Sequence, residues 1–116
     1  MKKSSFVDYV TSDLLGGISG VRSRAMFGGY GVYKNDTIFA IIVEDELYFK
    51  VGDLNRKDYE RAGSEPFVYT AKGNKKVAMS YWKVPAEAME DLQVLEEWAE
   101  KSLRVSAAGR RLQTKS

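Results

Sequence analysis

The chain of 116 residues contains no cysteine and no histidine. Without cysteine there is no disulfide framework, no thiol nucleophile, no redox switch and no iron–sulfur ligation. Without histidine the chain lacks the commonest general base and the commonest metal ligand. It also lacks the one side chain that titrates near neutrality unperturbed. A zinc site would need carboxylates alone, and Ser-His-Asp or Cys-His nucleophilic schemes are excluded. Proline is scarce, at Pro66 and Pro85 only, and no linker, repeat or low-complexity stretch divides the chain. The longest apolar run, Ile38-Phe39-Ala40-Ile41-Ile42-Val43, has six residues. A membrane span needs about 20. Lys2-Lys3 is not followed by the apolar segment of a signal peptide. A soluble, cytoplasmic protein is expected.

What is present suits one compact domain. The chain is 44% hydrophobic and 12% aromatic, enough to fill a core at this length. Its 18 basic and 16 acidic residues leave a net charge of +2, but they are grouped. Lys72, Lys75, Lys76 and Lys83 lie in a stretch without acids. Val84 to Glu100 holds six acids and no base, and Lys101, Arg104, Arg110, Arg111 and Lys115 follow. This order reads as solvated faces, with acids early and bases late on a final helix, as the helix dipole favours.

Periodicity supplies the elements. Ser4 or Ser5 is placed to cap a first helix carrying Phe6, Val7, Val10 and Leu14 on one stripe, and Gly16-Gly17 ends it. Val21 to Met26 is a short β-compatible segment, Gly28-Gly29 a turn, and Tyr30 to Tyr33 a strand. Thr37 to Glu44 is apolar on both faces and reads as a central strand. In the next strand Leu47, Phe49 and Val51 alternate with Tyr48 and Lys50. Asp53 or Asn55 caps a second helix ending at Gly63. Two strands then flank a loop at Lys72-Gly73-Asn74-Lys75-Lys76. A last helix is expected to open at Pro85 and bury Ala88, Leu92, Leu95, Ala99 and Leu103, with Trp98 at the stripe's edge. The result is a two-layer α+β domain in the order α-β-β-β-β-α-β-β-α. It has an antiparallel sheet of five to six strands, the first one short, and helices on one face. The domain spans residues 1–105, and a basic, flexible tail covers 106–116.

The most unusual segment is Arg22-Ser23-Arg24-Ala25-Met26-Phe27-Gly28-Gly29-Tyr30. A phosphate-cradling loop would want a helix after the glycines, and a strand follows instead. A strand connection with Met26 and Phe27 packed into the core is the simpler reading. A loop presenting Arg22, Arg24, Phe27 and Tyr30 to a partner is the alternative. Arg24 to Tyr33, then Asp36-Thr37-Ile38-Phe39-Ala40, Glu46 to Val51, and Met79 to Pro85 together resemble the N-terminal domain of the TfoX/Sxy proteins, over residues 4–105. The resemblance implies a secretion-chaperone-like α+β fold, no enzymatic activity and no cofactor. It further implies a role in the transcription of competence genes beside a cAMP-receptor-type activator. Full TfoX regulators carry a second, helical C-terminal domain, so this chain is read as the N-terminal domain, excised or stand-alone. Motif residues carried over are Arg24, Met26, Phe27, Gly28, Gly29 and Tyr30.

Three kinds of function remain open. As an interaction domain, the chain would use Tyr48, Lys50, Tyr81 and Lys83 as its interface, with a homodimer the simplest use. As a nucleic-acid binder it would use Lys72, Lys75, Lys76, Arg110 and Arg111 against phosphates. As an enzyme or cation binder it would rely on Asp36, Glu44, Asp45 and Glu46, which are more simply turn and strand-end charges. No catalytic residue and no metal ligand is assigned.

Overall fold

The computed structural model describes residues 5–26 and 28–114, with side chains of the last helix described as far as Gly109. Ser4, Phe27 and the side chains of Arg110 and Arg111 therefore lie outside the described residues. The chain begins with α1 (Ser5–Asp8), whose winding loosens into a π-helical segment over Tyr9–Leu14. In this wider turn the Leu15 N–H donates to Val10 O at 2.9 Å. That spacing brings Val10, Leu14 and Leu15 to the core together, while Phe6 is only half-buried. Gly16 and Gly17 follow without taking the left-handed conformation expected of a helix stop.

Six strands form one antiparallel sheet: β1 (Val21–Met26), β2 (Gly29–Lys34), β3 (Thr37–Val43), β4 (Glu46–Lys50), β5 (Pro66–Thr70) and β6 (Lys76–Lys83). Their spatial order is β1-β2-β3-β4-β6-β5. The first strand is as long as the second, six residues each. Two left-handed residues, Glu44 and Asp45, turn β3 into β4, the conformation that a tight hairpin needs. β3 is central, and its residues Phe39 to Ile42 are all buried. The register slips between Val32 and Tyr33, because Val32 faces Ala40 while Tyr33 faces Ile38. Phe39 is the extra residue of this bulge. Its ring lies 6.0 Å from that of Phe49, so Phe39 and Ala40 both reach the core.

The helices supply the second layer. α2 (Arg56–Arg61) follows β4, and α3 (Ala86–Met89) and α4 (Leu92–Thr114) follow β6. A single helix from Pro85 was expected, but the chain breaks after one turn. Asp91 Oδ1 accepts from the backbone N–H groups of Gln93 (3.1 Å) and Val94 (3.3 Å), so Asp91 caps a fresh helix. The break resets the phase. Leu92 is left 53% exposed, and the buried stripe becomes Leu95, Ala99, Ser102 and Ser106. Leu103 is only half-buried. α4 is helical through Thr114, so the backbone from residue 106 continues the helix rather than leaving it as a tail. Ala107, Ala108, Arg110 and Gln113 are good helix formers.

Asn55 precedes α2, as its residue type suggests, but its side chain does not cap the helix. Its Oδ1 accepts from Gly52 N–H at 2.8 Å and its Nδ2 donates to Lys50 O at 3.0 Å. Ser102 of α4 donates to the same Lys50 carbonyl at 2.8 Å. Tyr59 of α2 stands edge-on to Trp98 of α4, with ring centroids 4.6 Å apart, and near Trp82 of β6. Burial pushes the Tyr59 phenol far above its ordinary value of 10.0.

Two expectations follow. Asn55→Ala leaves Gly52 N–H buried without its acceptor and should cost about 2 kcal/mol in urea denaturation. An unfolded chain ionises Tyr59 near pH 10, whereas the folded chain holds that proton. Stability should therefore fall as pH rises above 10. Tyr59→Phe should make this alkaline decline shallower, read from denaturation midpoints on either side of pH 10. Tyr48 and Tyr81, also raised by burial, and Lys83, raised by its hydrogen bond to Glu46, contribute in the same direction.

Candidate functional site: the helix-free face of the sheet

Alternation assigns the second face of the sheet. Leu47, Phe49 and Trp82 point to the helices, so Tyr48, Lys50, Tyr81 and Lys83 point the other way. The register makes them two direct cross-strand pairs, Tyr48 opposite Lys83 and Lys50 opposite Tyr81. The Lys50 ammonium lies 5.0 Å from the Tyr81 ring centroid and donates to Ser80 Oγ at 2.7 Å. Lys83 forms a 2.7 Å ion pair with Glu46, whose hydrogen bond and charge raise the lysine's pKa. Being exposed, this pair adds little stability. Tyr48 meets Phe67 of β5 edge-on, with ring centroids 5.1 Å apart. Burial raises the pKa of Tyr48 and Tyr81, with Glu46 next for Tyr48 and the neighbouring Tyr33 for Tyr81. Among the described residues no helix lies across the middle of this face. The far part of α4 meets its margin, where Ser106 and Gly109 line a small hollow with Ile38, Lys50 and Tyr81.

β6 is longer than its partner on the core side. It pairs with β4 only through Tyr81, Trp82 and Lys83, and from Lys76 to Ala78 it pairs with β5 alone. β5 and the first part of β6 thus form a two-stranded arm. Between this arm and the floor of the sheet runs a groove of about 410 Å³, lined by Met26, Ile41, Val43, Phe67, Tyr69 and Met79. Its walls are mostly apolar, and Tyr69 is 44% exposed.

The motif residues fall on both sides of the sheet. Met26 lines the groove instead of packing into the core, because its partner Gly29 and the next partner Val43 share the helix-free face. Tyr30 is half-buried against the core and also lines the groove, so part of its ring is open to that side. Arg24 is exposed on β1 with its guanidinium 5.6 Å from the Tyr33 ring centroid, and Arg22 makes a 3.7 Å exposed ion pair with Asp36. Gly28 takes φ +76 in open space, while a Cβ on Gly29 would stand 2.4 Å from the backbone oxygen of Ile42.

Lys72, Lys75 and Lys76 are exposed at the tip of the arm. They are not brought to Tyr48 and Lys83 by strand pairing. The four acids weighed as a cation site are separated in role. Glu44 and Asp45 make the β3–β4 turn, Glu46 pairs with Lys83 and Asp36 pairs with Arg22. Among the described residues no group of three or more acids is placed to hold a metal ion. No described helix is long and apolar enough to cross a membrane. Ile41, Val43, Phe67, Tyr69 and Met79 were not singled out from sequence. The available signal was the alternation Val77, Met79, Tyr81, Lys83, which continues one face of β6 past β4.

Residues 13–106 match the family model of the TfoX N-terminal domain. No curated protein matches the chain.

The two glycines should respond differently to alanine. Gly28→Ala should cost about 1–2 kcal/mol for its left-handed backbone. Gly29→Ala should cost about 3 kcal/mol or more, because backbone cannot move aside as a side chain can. Urea denaturation of the two variants orders them.

Proposed function

The chain belongs to the TfoX N-terminal domain family, and on that premise we propose that it is a non-enzymatic contact domain in transcriptional regulation, working in the cytoplasm. Its contact surface is the helix-free face of the sheet. The observation that carries this reading is the one-sided layering. The described helices pack on one face, with only the end of α4 at the margin of the other, which holds an apolar groove and the Tyr48–Lys83 and Lys50–Tyr81 pairs. Apolar surface left next to a few fixed polar groups is what protein partners use. The partner suggested by the family is a cAMP-receptor-type transcription activator, and competence promoters are the corresponding targets.

Direct nucleic-acid binding has one observation in its favour, the three exposed lysines at the tip of the arm. Against it stands a net charge of only +2, a weak footprint for phosphate binding.

A reporter gene driven by a promoter that requires such an activator tests the reading. In cells whose own copy is deleted, the chain carrying Tyr69→Glu or Lys50→Glu should lose most of its effect on the reporter. Glu97→Lys, on the exposed side of α4, should retain it. Circular dichroism checks that the variants are folded. Full activity of both face variants, or loss only with Glu97→Lys, would overturn the assignment of the face.

A further inference from the structure

β5 is the last strand of the described sheet on its side and pairs with β6 along one edge only. The bonds at its two ends give the parity of its main chain. Lys83 N–H donates to Glu65 O at 3.1 Å, and Ala71 N–H donates to Lys75 O at 2.7 Å. Residues 65 and 71 thus face β6, and alternation adds Phe67 and Tyr69. Val68 and Thr70 turn their N–H and C=O groups outward, to the open edge. No charged residue lies between Pro66 and Ala71. Val68 is 47% exposed and Tyr69 44%. An uncharged, apolar open edge is a template for a further strand.

We infer that β5 is the seam of a twofold homodimer, in which it pairs antiparallel with β5 of a second copy, Tyr69 opposite the partner's Tyr69. In this register Val68 exchanges both main-chain bonds with the partner's Thr70, and Thr70 does the same with the partner's Val68. Every outward group of these two residues is then paired. Pro66 selects the register. Its missing N–H falls on the outward side, so centring the seam on Val68 would set the Thr70 carbonyl against the partner's Pro66 and leave it unbonded. Centring it on Thr70 would run Val68 against the turn that begins at Lys72. Charge agrees with an antiparallel second copy. Exposed Glu65 stands just before β5, and the tip beyond it carries exposed Lys72, Lys75 and Lys76 and no acid. Antiparallel pairing lays the Glu65 end of each copy beside the lysine end of the other. Glu65 and Lys72 lie outside the strand proper, so alternation does not confine their side chains to opposite faces.

The other edge of the sheet resists self-pairing. Asn35 N–H donates to Gly20 O, so Val21, Ser23 and Ala25 turn their main-chain groups outward from β1. A twofold pairing centred on Arg22, Ser23 or Arg24 sets arginine directly opposite arginine, which is destabilising. The β5 seam therefore closes the assembly at two copies.

The chain has no cysteine, so a single introduced thiol can form a disulfide only with its own copy. At a non-hydrogen-bonded position such as Tyr69 opposite itself, the Cα atoms of the two strands stand about 4.5 Å apart, within disulfide reach. On mild oxidation of the full chain, Tyr69→Cys should cross-link, while Val68→Cys and Thr70→Cys should stay largely single. For the unaltered chain, sedimentation should show a dimer fraction that rises with concentration. The Val68 and Thr70 amides should exchange more slowly as it forms. Val68→Lys places a charge on the open edge and should raise the dissociation constant at least about tenfold, with an unchanged circular dichroism spectrum. A chain still monomeric at about 1 mM, where even a weak pair forms, would overturn the seam. So would a dimer indifferent to Val68→Lys, or assemblies that grow beyond two copies. Cross-linking at Val68→Cys or Thr70→Cys as fast as at Tyr69→Cys would overturn the register. Phe67 and Tyr69 line the groove, so Val68 lies on the other side of the strand. Its lysine variant therefore tests the seam without altering the proposed contact face.

Discussion

One buried carbonyl joins the parts of this domain that the chain places far apart. Lys50 O ends β4, and it accepts hydrogen bonds from Asn55, ahead of α2, and from Ser102, in the middle of α4. Asn55 and Ser102 are almost wholly buried, so each must find partners inside the protein. They do so on the same oxygen. The consequence is positional. α4 meets β4 where the small Ser102 hydroxyl reaches that carbonyl, and this seats Leu95 and Ala99 in the core they share with Phe39 and Phe49. A larger apolar side chain at Ser102 would hold the helix away from β4.

With α4 seated in this way, the described helices pack on one side of the sheet, and only the end of α4 reaches the margin of the other. The other side keeps the side chains that alternation sends there, and the bulge at Phe39 sharpens the division. By directing Phe39 and Ala40 together to the core, it fills the helical side and leaves Ile38 and Ile41 to the open side. The same residues that complete the core thus determine what the free face presents.

Much of this was legible in the sequence, and the failures are specific. The alternation of Leu47, Phe49 and Val51, all buried, was readable because strand period is strict. The apolar character of β3 on both faces marked it as central. α4 was placed in the wrong phase because Ala88 and Leu92 are spaced as if on one helix. The Asp91 cap between them is a local signal that the apolar pattern overrode. Ser102 and Ser106 carry no hydrophobic signal, since their burial depends on a carbonyl supplied by another element. Met26 was assigned to the core because parity cannot be counted across Gly28-Gly29 without knowing the pairing. The Tyr48, Lys50, Tyr81 and Lys83 set was readable from alternation alone. The groove beside it was not, because it depends on the arm outrunning β4, a comparison of lengths between strands separated by a helix.

The arm has a further consequence. It is bonded on one side only over much of its length, and its tip turns through Gly73 and Asn74, both in the left-handed conformation. Few tertiary contacts oppose its local opening, so its amide hydrogens belong to the least protected class of the sheet. A groove with one stiff wall and one compliant wall can take guests of different girth, and each guest must immobilise the compliant wall as it enters. Selectivity then depends on the bending stiffness of a hairpin as well as on the residues that touch the guest. In the proposed contact, the turn at Gly73 and Asn74, though not among the residues that line the groove, would be a tuning point for affinity.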